Sequence, residues 1–310
     1  MRLFVTGATG YIGRVVTERA LAEGHTVHGL SRNEEGDAKL RALGATPVRG
    51  DLTSLDVLRR ESSEANAVLH LAYIHDWGMD YEEILRIDAA AVYALGGILR
   101  GTEKGFVVTS GTAVVEPDPA GGETTEESPL SETFVLKDRI RSERHALRLS
   151  EDGVRVSAIR LPPYVYGRGG SYFVPMLMEM AAKAGESVYV DDGSLRTSGV
   201  HVDDAATLFL LAAMTAKAGD VFNGTGSTTT TLRELAEAIG AALELPVRSV
   251  SREEAEALWG QFLTAFVQFE NRPSNRKAVR QLGWRPKGID MLTDVRAGSY
   301  RDLARRLRRG

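Results

Sequence analysis

Three glycines near the start of the chain have the spacing of a phosphate-binding turn. Gly7, Gly10 and Gly13 follow the apolar run Arg2–Thr6 and precede a stretch of helical periodicity. Glycines so placed permit a tight turn, let backbone N–H groups approach a pyrophosphate and let the helix pack closely on the strand. The helix N-terminus then offers free N–H donors and partial positive charge. The pattern predicts a dinucleotide site, and a glycine turn without a ligand is the alternative.

The end of the second apolar run bears on which dinucleotide is bound. Ser31 and Arg32 follow residues 26–30, near the place where an NAD-binding chain usually has an acidic residue for the ribose 2′-hydroxyl. An arginine forms charge-assisted hydrogen bonds to a 2′-phosphate, which favours NADP. Glu34 could instead contact the 2′-hydroxyl, so NAD stays the alternative. Asp51, after the third run, suits an adenine contact or a helix cap.

Short motifs follow one another in a definite order over nearly the whole chain. They are residues 6–13 (TGATGYIG), 50–52 (GDL), 70–72 (HLA), 108–110 (VTS), 161–167 (LPPYVYG), 201–204 (HVDD) and 282–286 (LGWRP). This set resembles the short-chain dehydrogenase/reductase superfamily, in its NAD(P)-dependent epimerase/dehydratase-like branch. With the residues above, the resemblance implies a Rossmann domain, a smaller C-terminal substrate lobe and cofactor contacts from Gly7, Thr9, Gly10, Tyr11, Ile12, Gly13, Ser31, Arg32, Asp51, Leu52, Leu71, Ala72, Arg139 and Pro162.

The resemblance also implies a catalytic set, from which this chain departs. Members of the superfamily normally use a Ser or Thr, a Tyr that exchanges the proton, and a Lys four residues later that holds the ribose. None of the nine tyrosines is followed four residues later by Lys. When Glu143 is aligned with the family's glutamate, Arg139 stands at the Lys position and Val135 at the Tyr position. The chain therefore resembles atypical members that keep the cofactor fold and lack this Tyr.

Two parts of the usual catalytic set have polar substitutes nearby. Arg139 can hold ribose hydroxyls but cannot release a proton at working pH. Gly111 stands at the family's Ser position, between Ser110 and Thr112. These two hydroxyls are the predicted groups for polarising a substrate carbonyl, alongside a purely structural alternative.

The loop after the fourth predicted strand offers replacement proton donors. Tyr73 and His75 lie in this loop, and Asp76 could orient His75. Loops that follow parallel strands gather at the carboxyl edge of the sheet, where the nicotinamide is expected. We therefore predict Tyr73 or His75 as the proton donor, with packing as the alternative role for each.

Substrate contacts are expected on later loops at the same edge. An apolar stretch at residues 172–180 suits an apolar or aromatic carbonyl compound, although such stretches are as often core. His201 and Asp203 lack a third convergent ligand, so no metal site is predicted. Arg196 is expected either to bind an anionic group or to lie on the surface. The predicted substrate contacts are Trp77, Tyr164, Phe173, Met176 and Arg196.

Alternating strands and helices must position these residues. Strands are predicted at residues 2–6, 26–30, 46–49, 67–72, 105–110 and 155–161, with helical segments between them. This alternation predicts an α/β fold with a doubly wound parallel sheet. We expect a dinucleotide-binding domain over residues 1–161 and a substrate lobe over residues 162–310, from which residues 195–225 return to the first domain.

Composition narrows the class of protein further. The 310 residues contain no cysteine, which excludes thiolate chemistry and thiolate metal sites. A net charge of −4, from 38 basic and 42 acidic side chains, argues against nucleic acid as a partner. The sequence has no signal-peptide pattern and no long apolar run, so a cytoplasmic protein without membrane contact is expected. The resemblance adds a homodimer built on the helices predicted near residues 84–100 and 139–149.

Three functions fit these observations. The first is an NADP-dependent oxidoreductase acting on a small carbonyl or alcohol, with an atypical proton donor. The second is a redox sensor that binds NADP(H) without turnover, which the loss of the Tyr and Lys favours. The third is a nucleotide-sugar epimerase or dehydratase, which the same loss weakens because those reactions ordinarily depend on the Tyr. We predict the oxidoreductase because polar groups cluster at an apolar cleft entrance.

Overall fold

The computed structural model describes residues 1–75, 78–132, 134 and 139–309. Strands and helices alternate through its first half as the sequence predicts. They are β1 (Arg2–Thr6), α1 (Tyr11–Ala22), β2 (Thr26–Ser31), α2 (Glu34–Leu43), β3 (Thr46–Arg49), α3 (Leu55–Glu64), β4 (Ala67–His70), α4 (Tyr81–Gly96), β5 (Gly105–Gly111), α5 (Arg139–Leu147) and β6 (Arg155–Leu161).

The second half is more mixed. Its elements are β7 (Tyr164–Tyr166), α6 (Phe173–Ala184), β8 (Ser187–Val190), β9 (Arg196–His201), α7 (Val202–Thr215), β10 (Asp220–Asn223), β11 (Ser227–Thr231), α8 (Leu232–Leu243), β12 (Val247–Val250), α9 (Arg252–Val267), α10 (Arg276–Leu282), α11 (Met291–Ala297) and α12 (Arg301–Leu307). Among the residues just described, no helix is long and apolar enough to cross a bilayer.

The main sheet has seven parallel strands in the order β10-β6-β5-β4-β1-β2-β3. The predicted doubly wound α/β fold is confirmed. Side chains alternate between its two faces: Leu3 and Val5 pack with α1 and α7, and Phe4 packs with α3 and α4 on the opposite face. The chain leaves β1 toward β2 on one side and reaches β4 on the other side. This reversal opens a crevice at the carboxyl ends of β1 and β4, where ligands bind in such sheets.

Several element boundaries differ from the predicted ones. β4 ends at His70, so Leu71 and Ala72 belong to the loop that borders the crevice. α4 ends at Gly96 and continues as one turn of 3₁₀ helix, because consecutive glycines weaken an α-helix. The seventh strand, β10, comes from the segment expected to return, whereas β9 joins β7 and β11 in a separate three-stranded sheet. We retain residues 1–161 and 162–310 as the proposed domains.

The second half is attached to the first through α7 and the residues that follow α10. α7 packs against α1. Asp204, in the first turn of α7, accepts hydrogen bonds from the backbone N–H groups of Lys287 and Gly288 at 3.0 and 2.7 Å. The fully buried Trp284 donates its indole N–H to the Asp204 carbonyl at 2.9 Å. The motifs at 201–204 and 282–286 therefore meet and hold the segment after α10 against the start of α7.

Candidate active site

The glycine turn has the geometry that a close-approaching diphosphate needs. Gly7 has φ of 71°, in the left-handed region, and a Cβ there would lie 2.7 Å from the Ala72 backbone nitrogen. A Cβ on Gly13 would lie 2.0 Å from the Gly7 carbonyl oxygen. Gly10 caps α1 without a side chain, and the first turn of that helix has no acidic residue. The backbone N–H groups in the first turn of α1 are therefore open to an anion, and the glycine turn fits the diphosphate of a dinucleotide.

A cavity of about 950 Å³ extends from this turn along the carboxyl edge of the sheet. Its volume is at the upper end for a small-molecule site. Its wall also contains residues that were not predicted, among them Thr109, Pro163 and the apolar Ile74, Met79 and Ile87. The predicted cofactor, substrate and catalytic residues that line it are Gly7, Thr9, Gly10, Tyr11, Ile12, Gly13, Arg32, Asp51, Leu52, Leu71, Ala72, Tyr73, His75 and Phe173.

Arg32 and Asp51 border one end of this cleft. Arg32 is exposed and has no ion-pair partner among the described residues. Glu34 lies in the first turn of α2, outside the cavity wall. Asp51 uses one carboxylate oxygen to accept hydrogen bonds from the Thr53 hydroxyl and backbone N–H at 2.6 and 2.8 Å. The Thr53 hydroxyl, more than any other contact, lowers the pKa of Asp51, so this carboxylate is ionised and its second oxygen can accept a bond.

Tyr73 and His75 also line the cleft, whereas Arg139, which was predicted to contact the cofactor, packs against Tyr73 and is not part of the cavity wall. The Arg139 guanidinium carbon lies 3.5 Å from the centre of the Tyr73 ring. The Tyr73 and His75 rings contact edge to face, with centroids 5.4 Å apart. The Tyr73 hydroxyl and the Arg139 Nη1 are buried without a hydrogen-bond partner in the described part of the chain. Partial burial, and then the Arg139 charge, lower the pKa of His75, so its imidazole is largely neutral at pH 7.

Ser110 and Thr112 do not line the cleft. The Thr112 hydroxyl donates to Asn271 Oδ1 at 2.8 Å, and the Ser198 hydroxyl donates to the same oxygen at 2.6 Å. The Ser110 hydroxyl is buried and has no partner in the residues described. β5 alternates its side chains between faces, and the neighbouring Thr109 is the hydroxyl residue of this strand that lines the cleft.

A buried polar chain behind the cleft was not predicted. The Thr6 hydroxyl and His70 Nδ1 are 2.7 Å apart, and His70 Nε2 lies 3.7 Å from the Asp88 carboxylate. Burial raises the pKa of Asp88, but its interactions with neighbouring side chains, His70 first among them, outweigh burial, so the net pKa is lowered. Thr6 also accepts the Ala72 N–H at 3.3 Å. The presence of Asp88 within the mostly apolar helix α4 is the sequence signal that could have identified this row of polar side chains.

Other residues predicted to contact cofactor or substrate lie away from the cleft. The Ser31 hydroxyl donates to the Asn33 carbonyl at 3.0 Å, and Pro162 is buried beside the cavity-lining Pro163. Met176 packs against an apolar cluster around Phe266, and the exposed Arg196 begins β9. Tyr164 faces a second cavity, in the C-terminal half. The predicted roles of Trp77, Asp76 and Val135 lie outside the described residues.

His201 and Asp203 have a structural role in α7. His201 precedes the helix, and its Nδ1 accepts the Asp203 backbone N–H at 3.3 Å. Asp203 forms an ion pair with Arg168. Within the described ranges, no group of three or more His, Asp or Glu residues could hold a metal ion.

Comparisons with known proteins identify the family. The chain is 39% identical to an uncharacterized protein of Schizosaccharomyces pombe, over 97% of this chain and 100% of that protein. It is 28% identical to the 4-hydroxy-2-methyl-3-oxo-4-farnesyl-3,4-dihydroquinoline-1-oxide ketoreductase of Stigmatella aurantiaca, over 91% of this chain and 87% of the relative. The human epimerase family protein SDR39U1, solved with NADPH, shares the fold, with a TM-score of 0.74 and 21% identity over 96% and 99% of the two chains. Residues 3–223 match the family model, and the chain belongs to the NAD dependent epimerase/dehydratase family.

Proposed function

We propose that the protein is an NADP-dependent reductase of small, largely apolar carbonyl compounds. The observation that carries this proposal is the Tyr73 phenol, which is unpartnered among the described residues, lies on the cleft wall and has the Arg139 cation against its ring. The name of the Stigmatella aurantiaca relative, a ketoreductase, supports a carbonyl substrate.

The cofactor contacts follow from the shape and charge of the cleft. The open N-terminus of α1 and the glycine turn would hold the pyrophosphate. The unpaired Arg32 would bind a 2′-phosphate, which is why we propose NADP rather than NAD. Arg139 would donate to ribose hydroxyls through the nitrogen that lacks a partner. When bound, the reduced nicotinamide supplies the hydride for the carbonyl carbon.

Tyr73 is the proposed proton donor to the carbonyl oxygen. The neutral form of His75 that its lowered pKa favours accepts a proton but does not readily donate one. Arg139 cannot release a proton at all. Its positive charge, 3.5 Å from the Tyr73 ring centre, stabilises the negative charge that forms on the phenol oxygen when the proton leaves. A tyrosine and an arginine from two different elements thus take the place of the family's pair on one helix.

The apolar part of the wall sets the class of substrate. Ile74, Met79 and Ile87 line the cleft beside Tyr73, and Phe173 lines it from α6. Phe173 stacks on Phe266 with ring centroids 4.1 Å apart, which holds its ring in place. A ketone or aldehyde with an alkyl or aryl substituent would bury that substituent here.

The test measures NADPH oxidation by absorbance with a panel of aliphatic and aromatic ketones and aldehydes. Tyr73→Phe should lower kcat by roughly 100-fold or more, the range for loss of an acid catalyst, with NADPH affinity unchanged. Tyr93→Phe, at an exposed tyrosine of α4, is the matched control and should keep wild-type activity. Wild-type activity in Tyr73→Phe would refute Tyr73 as the donor.

A redox sensor without turnover is the second candidate function. It is favoured by Thr112, whose hydroxyl is engaged with Asn271 and does not reach the cleft wall. Tight NADPH binding with no oxidation by any compound of the panel would support the sensor. Adding a nucleotide sugar such as UDP-glucose to the panel tests the epimerase alternative in the same experiment.

A further inference from the structure

The cofactor cleft and the second cavity lie along the same face of α6. Phe173, the first residue of this helix, lines the cleft. Leu177 and Ala181, about one and two helical turns later, line the second cavity, which has a volume of about 340 Å³ and opens to solvent between α6, β8, α8 and α9. Residues four positions apart share a helix face, so Phe173 and Leu177 are separated by only roughly 6 Å along the helix axis.

A stacked pair of aromatic rings stands where the two spaces approach each other. The Phe173 ring stacks on Phe266 of α9, with centroids 4.1 Å apart and ring planes inclined by 15°. The Phe173 and Tyr164 rings meet edge to face, with centroids 6.1 Å apart. Tyr164 lines the second cavity, and so does Val267, the residue after Phe266. Phe173 therefore borders the cleft, and the residues packed around it border the second cavity.

The second ring of this pair is firmly packed. Phe266 is 7% exposed and belongs to an apolar cluster with Leu263 and Phe134, whose ring centroid lies 6.1 Å from that of Phe266. Side chains in such clusters occupy defined rotamers and leave few voids into which a neighbouring ring could move. A substrate substituent that reaches Phe173 therefore meets a wall that is supported from behind.

We propose that Phe173 and Phe266 together limit the length of the substituent that the cleft accepts, so that compact ketones and aldehydes are preferred to long-chain ones. Phe173 is the residue that the substituent contacts, and Phe266 is a positioning residue that holds the Phe173 ring in place. This inference rests on the proposed reductase function and adds the size class of its substrate.

The test is isothermal titration calorimetry of the protein with NADP⁺ and a series of unbranched ketones from 2-butanone to 2-undecanone. NADP⁺ has no hydride to donate, so the measurement does not depend on turnover. In wild-type protein each added CH₂ should tighten binding about fourfold until the alkyl chain reaches Phe173, and further carbons should add nothing. In Phe266→Ala the Phe173 ring can move into the vacated space. The gain of about fourfold per CH₂ should then continue to longer ketones.

Two further variants complete the binding test. Phe262→Ala is the matched control, because Phe262 lies one turn before Phe266 on α9 and belongs to neither cavity wall as the described residues define them; it should keep the wild-type limit. Phe266→Leu removes less of the ring, so it serves if Phe266→Ala does not fold, and it should also move the limit to longer ketones.

The rate of NADPH oxidation with the same ketones separates this inference from the proposed function. A limit that moves in the Phe266 variants without any NADPH oxidation would support the size limit and refute the reductase. NADPH oxidation with the same limit in wild-type protein and both Phe266 variants would overturn the size limit alone. Absence of ketone binding, or affinity that rises through 2-undecanone in wild-type protein, would also overturn it.

Discussion

Loss of the buried ion pair between Glu143 and Arg160 should strongly destabilise the protein. Arg160 donates to the two Glu143 carboxylate oxygens at 2.6 and 2.9 Å, and the side chains are 4% and 2% exposed. Glu143→Ala leaves a buried guanidinium without its counter-charge, which costs about 3–5 kcal/mol. The exposed pair between Glu82 and Arg141 joins α4 to α5 and provides the control. Glu82→Ala should cost less than about 1 kcal/mol.

Urea unfolding monitored by circular dichroism gives the free energy of unfolding of both variants on the same scale. Glu143→Leu combined with Arg160→Met removes both charges and should recover most of the lost free energy of unfolding. Glu143 lies one helical turn after Arg139, so the ion pair of Glu143 with Arg160 also holds the start of α5 near Tyr73. A cost for Glu143→Ala as small as that for Glu82→Ala would refute the reasoning, as would a double variant no more stable than the single one.

Two further predictions concern charge in the cleft. Arg32→Ala should weaken NADP binding about 10- to 100-fold, the effect expected for loss of charge-assisted hydrogen bonds to phosphate, and should leave NAD binding unchanged. Arg41→Ala on α2 is the control. An equal loss of affinity for both dinucleotides in Arg32→Ala would contradict the assignment of Arg32 to the 2′-phosphate. An NMR titration of His75 should give a pKa below 6.5, and Arg139→Met should move it upward, because the charge adds to burial. The unfolded chain, in which the His75 pKa is higher, takes up the proton at a higher pH than the folded protein, so the free energy of unfolding should fall as the pH drops below 6.5. A His75 pKa that Arg139→Met leaves unchanged would exclude the Arg139 charge as a cause.

The glycine turn and the order of elements could be predicted because local chemistry determines them. Only a residue without Cβ fits at Gly7 or Gly13, where a Cβ would lie 2.7 or 2.0 Å from backbone atoms. Continuous apolar runs likewise specify strands that are buried on both faces, as β1 and β4 are. The predicted bounds of β1 and β6 therefore agree with the structure, and those of β3, an edge strand with one buried side chain, agree as well.

Side-chain direction at the strand ends could not be predicted. Whether Ser110 or Thr109 faces the cleft depends on the register of β5, and a shift of one residue exchanges the two faces. Tyr164 was expected in the cleft because it follows β6 at the carboxyl edge of the sheet, but its neighbours Pro163 and Val165 line the cleft and Tyr164 does not. Thr112 was predicted to polarise a substrate carbonyl, with a structural role as the alternative, and its hydroxyl bonds to Asn271, 159 positions away. Such long-range pairing has no local signal in the sequence.

Arg32 on the cleft wall and Arg139 against the Tyr73 ring differ in burial, and this difference separates binding from chemistry in the proposed mechanism. Arg32 is exposed, so a phosphate that it binds stays partly hydrated and the interaction weakens as salt is added. Arg139 is half-buried against an aromatic ring, where water screens its charge less. A cation there stabilises charge that appears only during reaction, because it is already in place before the proton moves. In the proposed mechanism, position and burial therefore distinguish Arg32, which binds only the cofactor phosphate, from Arg139, which also stabilises the proton donor.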